Sequence, residues 1–258
     1  MASKYFNIDL KPDIINGNVS CVIDSDKTDN VFAGEDILFD WQAVDIPRGT
    51  IALESIMVYM MGEDGGVQAD KDFSFLFAKS INGVAPRSLG SVNGPQTACF
   101  GLPLHIIGAA RMEGTSTSMI GPAFGQLYLW NAAGANGIQG PMIMTPEVIS
   151  GTNVGYDKLY IAAFAGGSFD FSTGVLSDGG ETSDVETSLT TKTVDPRKAF
   201  NEGDTVYIHD VNTAIGTIKS MTSTNITLNA VIADGTDIAD EDEFMNATPI
   251  TCRFGFRQ

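Results

Sequence analysis

In three separate stretches of this chain, large apolar residues recur at every second position, and that period constrains the fold more than any other feature. Ile37, Phe39, Trp41 and Ala43 share one parity, as do Phe73, Phe75 and Phe77, while Cys252, Phe254 and Phe256 alternate with Arg253 and Arg257. Successive side chains of a strand point to opposite faces, so this spacing buries one face and wets the other only in an extended chain. The pattern predicts strands over residues 5–10, 19–24, 37–43, 51–61, 72–79, 126–131, 159–165, 167–173 and 251–256. Residues 51–61 are apolar at both parities apart from Glu54, which suits a central strand covered on both faces. Ile51, Ile56, Val58 and Tyr59 favour a strand over a helix there. Turn-forming clusters such as Gly62–Gly66, Asn82-Gly83 and Asn93-Gly94-Pro95 separate the strands. No helix of ten or more residues is expected. Many short strands between Gly- and Pro-rich turns indicate an all-β protein, a larger antiparallel β-sandwich of jelly-roll-like type.

A second pattern lies toward the end. Gly203-Asp204 launches Thr205-Val206-Tyr207-Ile208, Gly216-Thr217-Ile218 opens another strand, and Asn225-Ile226-Thr227-Leu228 makes a third, the sequence of a small β-barrel. Between Asp178 and Met245 there are 14 acidic and 4 basic residues, a net of −10 out of the chain's −17. The aromatic alternation returns only at 248–258. The expected organisation is therefore a sandwich over 1–177 completed by 248–258, a linker over 178–188, and a small acidic barrel over 189–247 inserted before the last strand. A plain tandem of two domains is the alternative.

Charge and composition exclude several functions. With 15 basic against 32 acidic residues, direct binding to nucleic-acid phosphates is disfavoured. Cys21, Cys99 and Cys252 are odd in number and widely spaced, which gives neither a disulfide framework nor a zinc site. The N-terminal residues lack the apolar run of a signal peptide, so the chain is expected to be made in the cytoplasm, without membrane insertion. His105 sits in the apolar Leu102-Pro103-Leu104-His105-Ile106 and reads as a structural histidine, and His209 lies beside Asp210 at a strand end. Nucleophile elbows, phosphate loops and zinc-protease helices are missing from the sequence. No catalytic, cofactor-binding or metal-binding residue is assigned, and the chain is not expected to be an enzyme.

Calcium is the one ligand the acidic loops could take. Asp24-Ser25-Asp26-Lys27-Thr28-Asp29, Asp234–Asp237 and Asp240-Glu241-Asp242-Glu243 carry closely spaced oxygen ligands. Solvated loops that keep sheet edges from pairing are the simpler account. The apolar surface is more telling. Residues 82–125 are long, poorly periodic and contain four prolines, the mark of a segment that is functional or ordered by a partner. Met142-Ile143-Met144 lies between Pro141 and Pro146, and methionine adapts to partner surfaces. Met142, Ile143, Met144, Pro103, Leu104 and Ile106 are the candidate assembly contacts.

The pattern Phe200-x-x-Gly203-Asp204-Thr205-Val206-Tyr207-Ile208, Ile215-Gly216-Thr217-Ile218-x-Ser220, Asn225-Ile226-Thr227-Leu228 resembles the small β-barrel modules of tailed-phage structural proteins. Such modules recur in head, tail and decoration proteins. The earlier strands, Ile37-Leu38-Phe39-Asp40-Trp41 and Phe73/Phe75/Phe77, also resemble a virion protein of that group. The resemblance implies a capsid decoration or cement protein that stabilises a phage head, with no catalytic residues. It implies the major capsid protein or other virion proteins as partners, and a homo-oligomer for which a trimer fits. A tail or baseplate component is the nearest alternative. A carbohydrate-binding or adhesive module is another, with Trp41, Tyr128 and Trp130 as a stacking platform.

Overall fold

The structure is a computed structural model that describes residues 4–14, 31–68, 70–96, 101–114, 118–120, 125–131, 141–147, 157–179, 186–208, 213–232 and 237–258. Eight longer strands build its larger part: β1 (Tyr5–Leu10), β3 (Ile37–Asp45), β4 (Ile51–Met61), β5 (Phe73–Ala78), β6 (Ile106–Met112), β8 (Gly125–Asn131), β10 (Lys158–Ala165) and β18 (Ile250–Arg257). Short strands β2 (Val31–Phe32), β7 (Ser118–Ile120), β9 (Met142–Met144) and β11 (Phe169–Asp170) attach to these or to each other. The predicted strand at 19–24 lies outside the described residues.

One sheet has the order β1-β18-β4-β8-β7, with β9 also on β4, and the other has β3-β10-β5-β6. Counted among the eight longer strands alone, these orders are 1-8-3-6 and 2-7-4-5. That is the jelly-roll arrangement, two Greek keys folded into a sandwich. The alternation of β5 and β18 does what it predicts, but that of β3 does not hold along the strand: Phe39 lies in the sandwich core, Ile37 and Trp41 join the outer cluster with Leu89, and Ala43 is exposed while Val44 is buried, because the β3–β10 pairing shifts register. Phe73, Phe75 and Phe77 of β5 point inward, against Tyr128 of β8 and Phe254 of β18. Edge-on aromatic pairs at these distances add attraction beyond the area they bury. β4 is central, between β18 and β8, as expected. Its coverage is one-sided, however: Ile51, Leu53, Ile56, Val58 and Met60 are buried, while Ala52, Glu54, Met57 and Tyr59 are only half-buried. Glu54 there pairs with Arg257 of the neighbouring strand at 2.7 Å.

Between β10 and β18 in sequence stands a second sheet, formed by β12 (Val175–Ser177), β13 (Ser188–Thr193), β14 (Thr205–Ile208), β15 (Thr213–Met221), β16 (Asn225–Leu228) and β17 (Phe244–Asn246). Its order is β12-β13-β16-β15-β14-β17. The first and last of these approach each other through a Leu176–Glu243 bridge and the Ser177 N–H to Asp242 C=O bond of 2.8 Å, so the sheet nearly closes into a barrel. It has its own core around Leu189, Val206, Ile218, Ile226 and Phe244. The barrel sheet takes in Val175–Ser177, which the composition had placed with the sandwich, because β12 pairs with β13 from Val175–Thr193 to Ser177–Thr191. The strand expected over 167–173 is likewise only the two-residue β11, paired with β2.

Barrel and sandwich meet through specific contacts. The Asp204 carboxylate is fully buried; it pairs with Lys11 and accepts from the Asn201 N–H and the Asn246 side-chain amide, both at 2.9 Å. Glu243, also buried, accepts from the Thr173 and Gly174 N–H groups at 2.7 and 2.9 Å. Gly65 has φ +68°, and a Cβ there would stand 2.7 Å from Val194 Cγ1, so the turn after β4 can press against the barrel only as glycine. Met61 of β4 belongs to the barrel core, and Tyr207 and Met245 of the barrel belong to the sandwich core.

Part of the stretch 82–125 is ordered by the chain itself. The Leu89 side chain is fully buried against Ile37 and Ala162 on the outer face of the second sandwich sheet. Its N–H donates to Asp40 Oδ1 at 3.0 Å, and the Trp41 indole donates to the Arg87 C=O at 2.9 Å. Ile37 exchanges bonds with Gly94 and Asn93 at 2.9 Å, which covers the outer edge of β3. The segment then forms the four-residue helix α1 (Leu102–His105) and strands β6 and β7.

Candidate functional site

The jelly roll has two ends, and the chain treats them differently. β3 ends, β4 begins, β5 ends, β6 begins, β8 ends and β10 begins at one end, as the antiparallel registers require. The connections at that end are residues 46–50, 79–105 and 132–157. They contain 2 of the chain's 32 acidic residues, Glu147 and Asp157, and three basic ones, Arg48, Lys79 and Arg87. The connections at the opposite end are 11–36, 62–72, 113–124 and 166–249, and they contain 26 acidic and 7 basic residues. Counted over the described residues alone, these connections carry 19 acidic and 6 basic side chains, so formal charge is about +1 at one end and about −13 at the other, which carries the barrel. Crowding at the acidic end is felt by Glu63: its partial burial, and then Asp170 and Asp64, push its carboxyl above the usual range.

Apolar exposure follows the opposite gradient. Leu104 is 71% exposed, Tyr5 and Ile143 69% and Val84 64%, and all four lie at the acid-poor end. Tyr5, Arg257, Ala52 and Ile143 are cross-strand neighbours in one row through β1, β18, β4 and β9. The segments carrying Val84, Leu104 and Ile143 are bound together. Lys79 N–H donates to His105 C=O at 2.9 Å, and the His105 ring meets Lys79 C=O through Nδ1 at 2.8 Å. Glu147, three residues past β9, turns its buried carboxylate inward to Ser80 Oγ at 2.5 Å and the Gly83 N–H at 3.0 Å. Gly108 of β6 lies beneath the Met142 and Met144 sulfurs, where a Cβ would stand 2.7 and 3.0 Å away.

The six candidate contacts therefore come to the same end of the sandwich with different roles. Pro103, Leu104 and Ile143 are exposed, Met142 and Ile106 are half-buried, and Met144 is a core residue. Val84 and Tyr5 were missed. Val84 is a lone apolar residue in a turn and Tyr5 opens the predicted strand 5–10, and only the topology brings the two to this end.

The other candidates are placed as follows. Tyr128 is wholly buried, its hydroxyl donating to Gln68 C=O at 2.8 Å. Trp41 stands on the other sheet from Trp130, and the platform of three aromatics does not exist. His105 is a structural ligand of the 79–84 turn, and His209 lies outside the described residues. The segment 24–29 lies outside them as well. Asp240 instead holds the Gly179 N–H and Lys192, Asp242 the Ala239 N–H, and Glu243 the Thr173 turn, so these carboxylates diverge. Among the described residues no three His, Cys, Asp or Glu side chains are grouped to hold a metal ion. Cys252 is buried in the core, which pushes its thiol well above the ordinary range, and Cys21 and Cys99 lie outside the described residues. No described helix is long and apolar enough to cross a membrane.

Two depressions lie on the surface of the described residues. One of about 100 Å³ lies between Tyr59 and Met61 of β4 and the barrel turn at Arg197, whose guanidinium is already bound to Asp195. A shallow one of about 700 Å³ lies beside Glu35 and Arg111, and Arg111 is held by Asp72 and Glu113.

No protein family matches this chain, and no curated protein sequence matches it. Among solved structures it is weakly similar to a chain of "Israeli acute paralysis virus heated to 63 degree - full particle", at 9% identity and TM-score 0.17, over 64% of this chain and 70% of that one. It is similar at 9% identity and TM-score 0.13 to a chain of "Structure of infectious bursal disease virus Gt strain", over 100% of this chain and 40% of that one. Likenesses of this size carry no argument about fold or function.

Proposed function

We propose that this chain is a non-enzymatic virion structural protein of the capsid decoration or cement type. The observation that carries the reading is the polarity of the jelly roll. Its acid-poor end gathers the four most exposed large apolar side chains among the described residues, while the barrel and most of the described acidic residues occupy the other end. Exposed apolar residues in such numbers at one end serve contact with protein. The jelly roll recurs in viral capsid proteins and in lectins, but a fold alone assigns no function. Burial of Tyr128 takes one ring out of the aromatic platform on which the glycan alternative rests. The likeness of the barrel segment to modules of tailed-phage virion proteins supports the virion reading.

A cement protein strengthens a shell by adding contact area between weakly joined subunits. Purified protein added to assembled capsids should co-sediment with them and raise the temperature at which they release their contents. Recovery with tails alone overturns the cement reading.

A further inference from the structure

We infer that the acid-poor end is where a second copy of this chain docks, end to end across a two-fold axis. The proposal deepens the reading of this end as an assembly surface; it does not depend on the virion assignment.

Two facts select this partner. The first is charge. A chain at −17 repels its own copies, and the repulsion comes mainly from the end that holds 19 of the 25 described acidic residues. Apposing the two acid-poor ends puts those charges as far apart as two copies in contact allow. Any pairing through the barrels crowds them. Glu147, whose position would place a carboxylate in the contact, is turned inward onto Ser80 and Gly83. The second fact is apolar surface. Leu104, Ile143, Val84 and Tyr5 are the most exposed large apolar side chains among the described residues, and each stands at this end. A two-fold contact presents the same patch on both copies, so the apolar residues of one face the end that carries those of the other. Homodimer contacts are more apolar than other protein contacts.

Head-to-tail docking, acid-poor end on acidic end, is the competing geometry, and ionic strength separates the two. Screening relieves repulsion between the distant acidic ends, so the two-fold dimer should hold or tighten as salt rises from about 50 to 500 mM. A head-to-tail contact should loosen and should form species larger than a dimer.

The test is sedimentation equilibrium of the full chain at on the order of 10–100 μM. A closed dimer that persists at high salt is expected. Leu104→Asp with Ile143→Asp should weaken it at least ~10-fold. Both positions are exposed, so an unchanged circular dichroism spectrum should accompany the loss. A monomer throughout, a salt-weakened larger species, or a dimer indifferent to both substitutions overturns the proposal. Capsid co-sedimentation of the same variant is read separately. Retained capsid binding by a monomeric variant leaves the cement reading standing, and a dimer that binds no capsid leaves this one standing.

Discussion

Phe254 meets Phe75 edge-on, with ring centroids 5.4 Å apart and planes at 87°. Residue 254 is reached only after the chain has built the whole barrel, yet its ring lies at the centre of the sandwich core, where it also touches Phe77 at 5.8 Å. Closing the core therefore waits on the last strand. Truncating a buried phenylalanine of this kind costs about 3–5 kcal/mol, a large part of a domain's stability. Phe254→Ala should lower the urea midpoint accordingly. A change below about 1 kcal/mol would show that β18 is dispensable to the core.

Asp204 joins the two parts of the molecule. Its buried carboxylate pairs with Lys11 from the stretch after β1 and accepts from Asn201 and Asn246 of the barrel. Replacing it with alanine strands these donors at a buried site, which should cost about 3 kcal/mol. Asp204→Ala and Lys11→Met should be non-additive in a double-mutant cycle, as contacting residues are. Strict additivity would mean that the pair contributes nothing across the junction.

Strand positions were legible where periodicity was long. The expected spans 5–10 and 51–61 match β1 and β4 residue for residue, and the Phe73/Phe75/Phe77 face is the buried one. Strand order was not legible, since parity says which face is buried and nothing about which neighbour is paired. The polarity of the molecule was hidden for the same reason. Its acidic residues are scattered through four connections, and only the antiparallel registers reveal that these connections share one end. Leu89 shows the opposite limit. In sequence it is one apolar residue among prolines and serines, and nothing local marks it as fully buried.

Leu89 should therefore behave as a core residue although it sits in a loop. Its side chain closes the small cluster of Ile37 and Ala162 and holds residues 85–96 over the outer face of the sheet. Leu89→Ala should cost about 2–4 kcal/mol and make the chain open to proteolysis near Arg87. An unchanged melting curve and an unchanged cleavage pattern would mean that the loop is held by its backbone bonds alone.

At acid pH the Asp9–Arg253 pair should be visible. The Arg253 guanidinium donates two bonds to Asp9, at 2.6 and 2.8 Å, and holds its carboxyl below the usual range. The unfolded state thus takes up this proton first as pH falls. The pair's contribution is complete above the unfolded value of about 3.9 and is lost as pH drops through the lower folded value. Both side chains are about half exposed, so salt should shrink the effect. Asp9→Asn should flatten the dependence of stability on pH below about 4, and more so at low than at high ionic strength. An identical acid limb in the two proteins would show the pair to be energetically silent.

Alkaline pH should act through Tyr128. Its hydroxyl sits in the core, donates to Gln68 C=O at 2.8 Å and accepts from the Lys71 N–H at 3.1 Å. Burial pushes its pKa up to about 12, with the Lys71 bond opposing the shift. An unfolded tyrosine ionises near 10, so between about 10 and 12 the folded chain keeps a proton that the unfolded chain releases. Stability from this group is complete below the unfolded value and falls as pH rises through the folded one. Tyr128→Phe should remove that alkaline loss and, at neutral pH, cost about 1–2 kcal/mol by leaving the Gln68 carbonyl and the Lys71 amide without their partner. Titration of phenolate absorbance gives the independent check: burial also delays Tyr59, Tyr160 and Tyr207, and the variant should show one late-ionising tyrosine fewer than the folded wild type, the one that resists up to about pH 12.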